Sequence, residues 1–142
     1  MYEACIAEWP KMNAAILCAA VADFRPTETV DEKIKKQADQ ESLTLHLSTN
    51  PDIARALGET KRPDQRLVGF ALETNHEKEN ALTKMERKNL DAIVLNSLRE
   101  QGAGFGVDTN RVSLLFDSGN SCELPLQSKA QVAEQLVDTL FT

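Results

Sequence analysis

Hydrophobic spacing at the start of the chain is helical: Tyr2, Cys5, Ile6 and Trp9 recur at three- and four-residue steps, and Pro10 closes the helix they predict. Across residues 14–22 the pattern becomes an unbroken run of small and apolar residues, too continuous for a strand with one wet face. Such a run predicts a central strand buried on both faces, as parallel sheets provide. It ends in an acid, Asp23. Residues 24–36 hold Pro26, two threonines and several acids without sustained period, which predicts a loop crossing the surface. Leu43, Leu45 and Leu47 then alternate with Thr44, His46 and Ser48, the period of a strand with one buried face, read here as a short excursion from the main sheet. Asn50-Pro51 predicts a helix start, with Asn50 capping the exposed amides, Pro51 supplying the first helical φ, and a stop at Gly58.

After a polar loop at residues 61–66, Leu67-Val68-Gly69-Phe70-Ala71 predicts a second buried strand, ended by Glu73 and Thr74. Residues 77–89 predict a helix with Ala81, Leu82 and Met85 on one face and Lys84 and Lys88 on another. Ala92-Ile93-Val94-Leu95 predicts a third strand ending at Asn96, and Gly102, Gly104 and Gly106 a glycine-rich loop. Residues 112–116 and 123–126 flank a turn at 117–120 and predict a hairpin. Ser128 is placed to cap a last helix with Val132, Leu136, Val137 and Leu140 facing inward. The alternation of strand and helix predicts right-handed crossovers and a parallel sheet, hence an α/β fold. Without internal repeats or low-complexity stretches, residues 1–142 read as a single domain.

Composition narrows the function classes. With 42% hydrophobic and 27% charged residues the chain has an ordinary globular balance. Its one notable apolar run, about nine residues around Ile16, is too short to cross a bilayer. Met1-Tyr2-Glu3 lacks the features of a secretion signal, and Cys5, Cys18 and Cys122 offer neither a C-x-x-C pair nor an even disulfide set, so the expected compartment is cytoplasmic. A formal charge of -6 argues against nucleic acid as a partner. A small anion is still allowed, because six of the 16 Lys and Arg residues fall into two clusters, Lys33/Lys35/Lys36 and Lys84/Arg87/Lys88.

Each candidate has a plainer reading beside it. Asp23, at the exit of a predicted strand, suits ribose hydroxyls or a phosphate-bound cation, or simply caps a turn. The lysines at 33, 35 and 36 form an anion site or a solvated loop. Lys84 and Lys88, one helical turn apart, repel each other by roughly a few tenths of a kcal/mol when exposed, and many surfaces carry such pairs. Phe70 reads as core. The glycines at 102–106 fail as a dinucleotide fingerprint because Val107 stands where G-x-G-x-x-G needs its last glycine. His46 and His76 lack Cys or His companions, so no zinc-type metal site is predicted, and no G-x-S-x-G or Walker motif occurs.

Four motifs carry a family resemblance: AAVADFRP, KIKK, NPDI at residues 50–53 and VGFALET at residues 68–74. In their order and spacing they resemble phosphopantothenoylcysteine synthetase, the ligase of coenzyme A biosynthesis. The resemblance implies a Rossmann-like three-layer α/β fold with a mostly parallel sheet and a C-terminal hairpin. It implies activation of the carboxylate of 4'-phosphopantothenate by CTP, with Mg2+, as an acyl-cytidylate, followed by attack of the cysteine amine. It assigns nucleotide binding to Asp23, Lys33, Pro51, Asp52, Ile53, Phe70, Lys84 and Lys88, catalysis to Lys33, and close backbone approach to substrate to Ala19 and Ala20. Leu72 departs from the pattern, standing where relatives generally carry alanine. The family also implies a homodimer, with the hairpin at residues 112–126 as the contact, and a flavin-dependent decarboxylase domain fused in front, to which FMN would belong. The family's glycine-rich strand-turn-helix is not among these residues, so the chain reads as the larger C-terminal part of the synthetase domain, inactive alone and with the strand at residues 14–22 left as an unpaired edge. The alternatives are a noncatalytic nucleotide-binding or interaction module on the same scaffold and, disfavoured by the missing fingerprint, an NAD(P)-dependent oxidoreductase.

Overall fold

The computed structural model describes residues 1–36, 41–73, 75–97, 103 and 106–141. In chain order its elements are α1 (Tyr2–Glu8), a single 3-10 turn (Trp9–Lys11), β1 (Ala14–Leu17), β2 (Phe24–Pro26), β3 (Leu47–Thr49) and α2 (Ile53–Glu59). Then come β4 (Arg66–Glu73), α3 (Glu77–Arg87), β5 (Ala92–Ser97), β6 (Thr109–Phe116), β7 (Ser121–Ser128) and α4 (Lys129–Phe141). Contacts gather into two compact units: Met1–Cys18 with Ile53–Thr142, and Ala19–Asp52.

The larger unit is built on a five-stranded sheet in the order β1-β4-β5-β6-β7. The first three of these run parallel, and β6 and β7 are the predicted hairpin, joined antiparallel to β5. Alternate residues of β4 and β5 serve opposite faces, as a pleated strand requires. Leu67, Ala71, Ile93 and Leu95 pack with Trp9, Ile53, Leu57, Ala81 and Met85 from the 3-10 turn, α2 and α3. On the other face Val68, Val94, Val112 and Leu114 pack with Val132, Leu136 and Leu140 of α4. The result is the expected Rossmann-like three-layer α/β fold.

Each of the three inward α4 side chains contributes roughly 1.5–3 kcal/mol of apolar burial. A capping box starts that helix where predicted: Ser128 Oγ accepts from the Gln131 amide at 3.2 Å, while Gln131 Oε1 accepts from the Ser128 amide at 3.1 Å.

Two polar nodes tie the sheet to its flanks. Gln65, only 2% exposed, donates from Nε2 to the carbonyls of Trp9 and Met12 at 2.8 and 2.7 Å. The indole of Trp9 donates in turn to the Leu57 carbonyl at 3.0 Å, so the 3-10 turn, α2 and the approach to β4 are locked together. Arg62 adds a bond to the Pro10 carbonyl and pairs with Asp64; that guanidinium, followed by a backbone hydrogen bond, draws the exposed Asp64 carboxyl below its usual range. At Asp91, one carboxylate oxygen accepts from the Leu67 amide at 2.6 Å and the other from Lys61 Nζ at 2.8 Å.

Several expectations need correction. The run at residues 14–22 does not form a central, doubly buried strand. β1 ends at Leu17, lies at the edge of the sheet beside β4, and leaves Ile16 36% exposed. An apolar run reports which residues avoid water, not how many strands flank them. The loop at 24–36 opens with β2, which pairs antiparallel with β3 as a separate two-stranded sheet. Leu43, Leu45 and Leu47, expected on a buried face, are 57%, 59% and 55% exposed. Leu82 and Val137 lie beside their helices' inward stripes and are 37% and 49% exposed. α2 begins at Ile53 rather than at Asn50-Pro51.

Gly58 is not the stop of α2 but lies inside it, buried. A methyl group there would overlap the Lys88 backbone carbonyl, and Asn89 donates from Nδ2 to the Gly58 carbonyl at 2.8 Å. Glycine is required by close approach of two backbones. Gly119, in the hairpin turn, has φ +85 and open space around it. Gly58→Ala should therefore cost more than the ~1–2 kcal/mol expected for left-handed alanine at Gly119. Urea unfolding of both variants checks this, and equal losses would rule out the backbone clash.

Candidate functional site

The smaller unit presents the Asp23 segment through a polar clamp. The Asn50 amide donates to the Asp23 carbonyl at 2.8 Å, and Asn50 Nδ2 donates to the Ala22 carbonyl at 2.8 Å. Arg25 Nη1 donates to Asn50 Oδ1 at 2.9 Å and to the Thr49 carbonyl at 3.1 Å. The Thr27 and Ser48 hydroxyls, 2.7 Å apart, and the Thr27 amide on the His46 carbonyl extend the same ladder. Asn50 thus ties the end of β3 to the segment entering β2, instead of capping α2 as the dipeptide suggested. Asp23 is exposed, its backbone fixed by this clamp.

Around it the chain is open. Ala19, Ala20, Lys33 and Pro51 are exposed, and Lys33, Lys35 and Lys36 lie on a segment without regular structure. Asp52 is exposed, with an interaction of its own, and Ile53 is buried in the core beneath α2. Within this unit the structure brings Asp23 together with Asn50, and Pro51 follows directly.

In the larger unit the relevant end of the sheet is where β4 and β5 finish, the place at which open parallel sheets bind ligands. Phe70 is half-buried and packs against the α4-side cluster, across from Val94 in register. Three residues on, Glu73 ends β4, and its Oε1 accepts from Lys84 Nζ at 2.7 Å. Asn80, one turn earlier on α3, donates from Nδ2 to the Asn75 carbonyl at 2.9 Å and more distantly to Glu73 Oε2 at 3.4 Å. Lys88 lies one turn on from Lys84, its amide donating to the Lys84 carbonyl at 3.1 Å. It is the residue at which α3 stops, and its backbone carbonyl faces Gly58.

Two separate groupings were missed: Asn50 with Arg25 in the smaller unit, and Glu73 with Asn80 in the larger. A carboxylate closing a buried strand, followed by a lysine on the next helix, was the available signal for Glu73. Asn96 and Asn110, at the ends of β5 and β6, also pair, with Asn110 Nδ2 donating to Asn96 Oδ1 at 2.9 Å. The glycine-rich loop at Gly102 and Gly104 falls outside the described residues, as does Thr74. Among the described residues no three His, Cys, Asp or Glu side chains gather as a metal-binding group, and no helix is long and apolar enough to cross a membrane.

A mixed five-stranded sheet, parallel across β1, β4 and β5 and covered by helices on both faces, defines an α/β class of protein. Along residues 1–142 the sequence matches the profile of the DNA/pantothenate metabolism flavoprotein C-terminal domain, and the chain belongs to that family. It is 42% identical over 140 residues to the Coenzyme A biosynthesis bifunctional protein CoaBC of Bacillus subtilis (strain 168), covering 99% of this chain and 34% of that protein. It is 45% identical over 142 residues to a protein named cysteine/cysteine sulfinic acid decarboxylase from an unknown prokaryotic organism, covering all of this chain and 39% of that one. The chain therefore spans little more than a third of these relatives. Among solved structures, the crystal structure of the C-terminal domain of a CoaBC protein superimposes with a TM-score of 0.75 at 36% identity, over 99% of this chain and 61% of that one. The resemblance to phosphopantothenoylcysteine synthetase drawn from the four motifs thus holds.

The clamp makes a local prediction. Asn50→Ala removes two hydrogen-bonding groups, at about 1 kcal/mol each. Hydrogen exchange should quicken at the amides of residues 25–27 and 47–50, while β4 and β5 keep their protection. Unchanged exchange across β2 and β3 would show that the clamp does not order this unit.

Proposed function

We propose that residues 1–142 serve as the nucleotide-binding part of a phosphopantothenate-cysteine ligase of coenzyme A biosynthesis, with CTP as the activating nucleotide. The observation that carries the reading is the match along nearly the whole chain to the C-terminal domain of CoaBC, a protein named for coenzyme A biosynthesis. The lysine held where β4 ends and the charged loop around Lys33 are the features such a role needs.

In this reading the 4'-phosphopantothenate carboxylate attacks the α-phosphorus of CTP, forming an acyl-cytidylate as pyrophosphate leaves. The cysteine amine then attacks the acyl carbon, an amide bond forms, and CMP departs with the electron pair of the broken acyl–oxygen bond. Negative charge accumulates on phosphate oxygens at the first step. Ammonium groups near them lower the barrier electrostatically, the part proposed for Lys33, Lys84 and Lys88. Asp23 meets the nucleotide as an acceptor for ribose hydroxyls, and Pro51, Asp52, Ile53 and Phe70 shape its surroundings, with Ile53 acting from the core beneath α2. Ala19 and Ala20, without bulky side chains, let backbone approach the substrate closely. Magnesium would be carried on the nucleotide phosphates, as that ion commonly is, and would there offset the triphosphate charge. Pairing of two chains through the β6–β7 hairpin belongs to the same proposal, supported by Leu126, 50% exposed on the edge strand β7.

Thermal shift of the chain with magnesium and a panel of CTP, ATP and NADPH tests the reading. Stabilisation should be largest with CTP, and a preference for ATP or NADPH overturns the assignment. Lys33→Gln should leave the unfolding midpoint without ligand nearly unchanged, because Lys33 lies exposed on an irregular segment. It should weaken CTP binding by roughly ten- to a hundredfold, the worth of one charge-assisted phosphate contact. Equal CTP affinity in the variant would remove Lys33 from the site.

A further inference from the structure

Glu73 is the last residue of β4, with its side chain 16% exposed, whereas Lys84 keeps 41% of its side chain in contact with solvent. Among the described residues, Glu73 is the one acceptor within hydrogen-bond reach of the Lys84 ammonium, at 2.7 Å. An ammonium carries three N–H donors. Glu73 takes one of them, and the lysine side chain stays 41% exposed. Asn80 and Lys84 are four residues apart, on one face of α3, and both side chains lean back toward the start of the helix and the carboxyl end of β4. The geometry is a tethered cation, half wet, at the sheet end where an anionic ligand is expected.

Given the nucleotide reading above, on which this rests, we infer that Glu73 is a positioning residue that holds the Lys84 ammonium in place for the nucleotide phosphates. An untethered lysine loses its rotamer freedom when it grips a phosphate, and one already fixed to a strand end has lost most of it beforehand. The same division of labour, a glutamate fixing a phosphate-binding lysine, operates in protein kinases on an unrelated fold. The opposite role would be a placeholder, with the carboxylate competing against phosphate for the lysine. The two roles predict opposite signs.

The test is calorimetric titration of the chain with CTP and magnesium, and separately with inorganic pyrophosphate, in wild type, Glu73→Gln, Glu73→Asp, Lys84→Met and the Glu73→Gln/Lys84→Met double variant. Positioning predicts that Glu73→Gln weakens both ligands by roughly five- to tenfold, the difference between a charged and a neutral partner for the ammonium. Glu73→Asp keeps the charge but withdraws it, and should fall with Glu73→Gln. The double variant should bind no more weakly than Lys84→Met alone, a non-additivity that a purely structural role would not produce. Tighter binding in Glu73→Gln overturns positioning in favour of the placeholder, and unchanged binding overturns both. If wild type binds CTP while the Glu73 variants match it, this inference alone falls. If wild type binds no CTP, the ligase reading falls and takes this one with it. Should Glu73→Gln fail to fold, Glu73→Asp carries the same comparison.

Discussion

The carboxylate of Asp91 sits between elements that would otherwise have no reason to share a register. It accepts the amide of Leu67 at the start of β4 and the ammonium of Lys61 in the loop before it, while its own amide donates to the Leu67 carbonyl and its carbonyl accepts from Asp117 after β6. One residue therefore sets the entry of two parallel strands and the exit of an antiparallel one. From that alignment follow the pairings Val68 with Ala92 and Ala92 with Phe116, and through them which side chains of β4 and β5 face α3 and which face α4. A slip by one residue would exchange the two faces and strand the apolar sets of both cores. It would also move Glu73 to the wrong face, away from Lys84.

The parts of the fold that could be read from sequence are those where local pattern and tertiary environment agree. β4 and β5 are continuous apolar runs flanked on both sides, and the hairpin and α4 carry their turn and capping residues where the structure uses them. The edge character of β1 could not be read from its own residues, because small apolar residues suit an edge and a centre alike; it followed only from the family resemblance, whose first strand is not among these residues. Leu43, Leu45 and Leu47 have a strand's alternation without its burial, since alternation says that two faces differ and nothing about what covers them. Gly58 looked like helix punctuation. Its reason lies 30 residues downstream in the Lys88 carbonyl, and no window of local sequence contains both.

The candidate site was legible in its charges more than in its scaffolding. Asp23, Lys33 and Lys84 stood out because acids and lysines at strand exits and in basic knots are chemically conspicuous. The residues that hold them are ordinary in sequence: Asn50 resembled a cap, and Glu73 resembled the polar end of a strand. Their roles depend on hydrogen bonds spanning 28 residues in one case and 11 in the other. Among the sixteen cations of the chain, the structure distinguishes those already engaged in the architecture, such as Lys61 and Arg62, from the exposed ones on the segment around Lys33.

The departure of the chain from the sheet after β1 and its return at α2 has a kinetic side. The hairpin joins residues as near as Leu115 and Ser121, whereas the pairing of Ala14 with Arg66 must wait until the whole intervening excursion has been gathered in. Closure entropy rises slowly with loop length, by about 0.6 kcal/mol for each doubling, so the excursion burdens equilibrium stability little. Its weight falls on the order of assembly, since distant contacts form late when nearer ones can nucleate first. The hairpin with α4 is the natural seed of this molecule, and β1 the strand that arrives last.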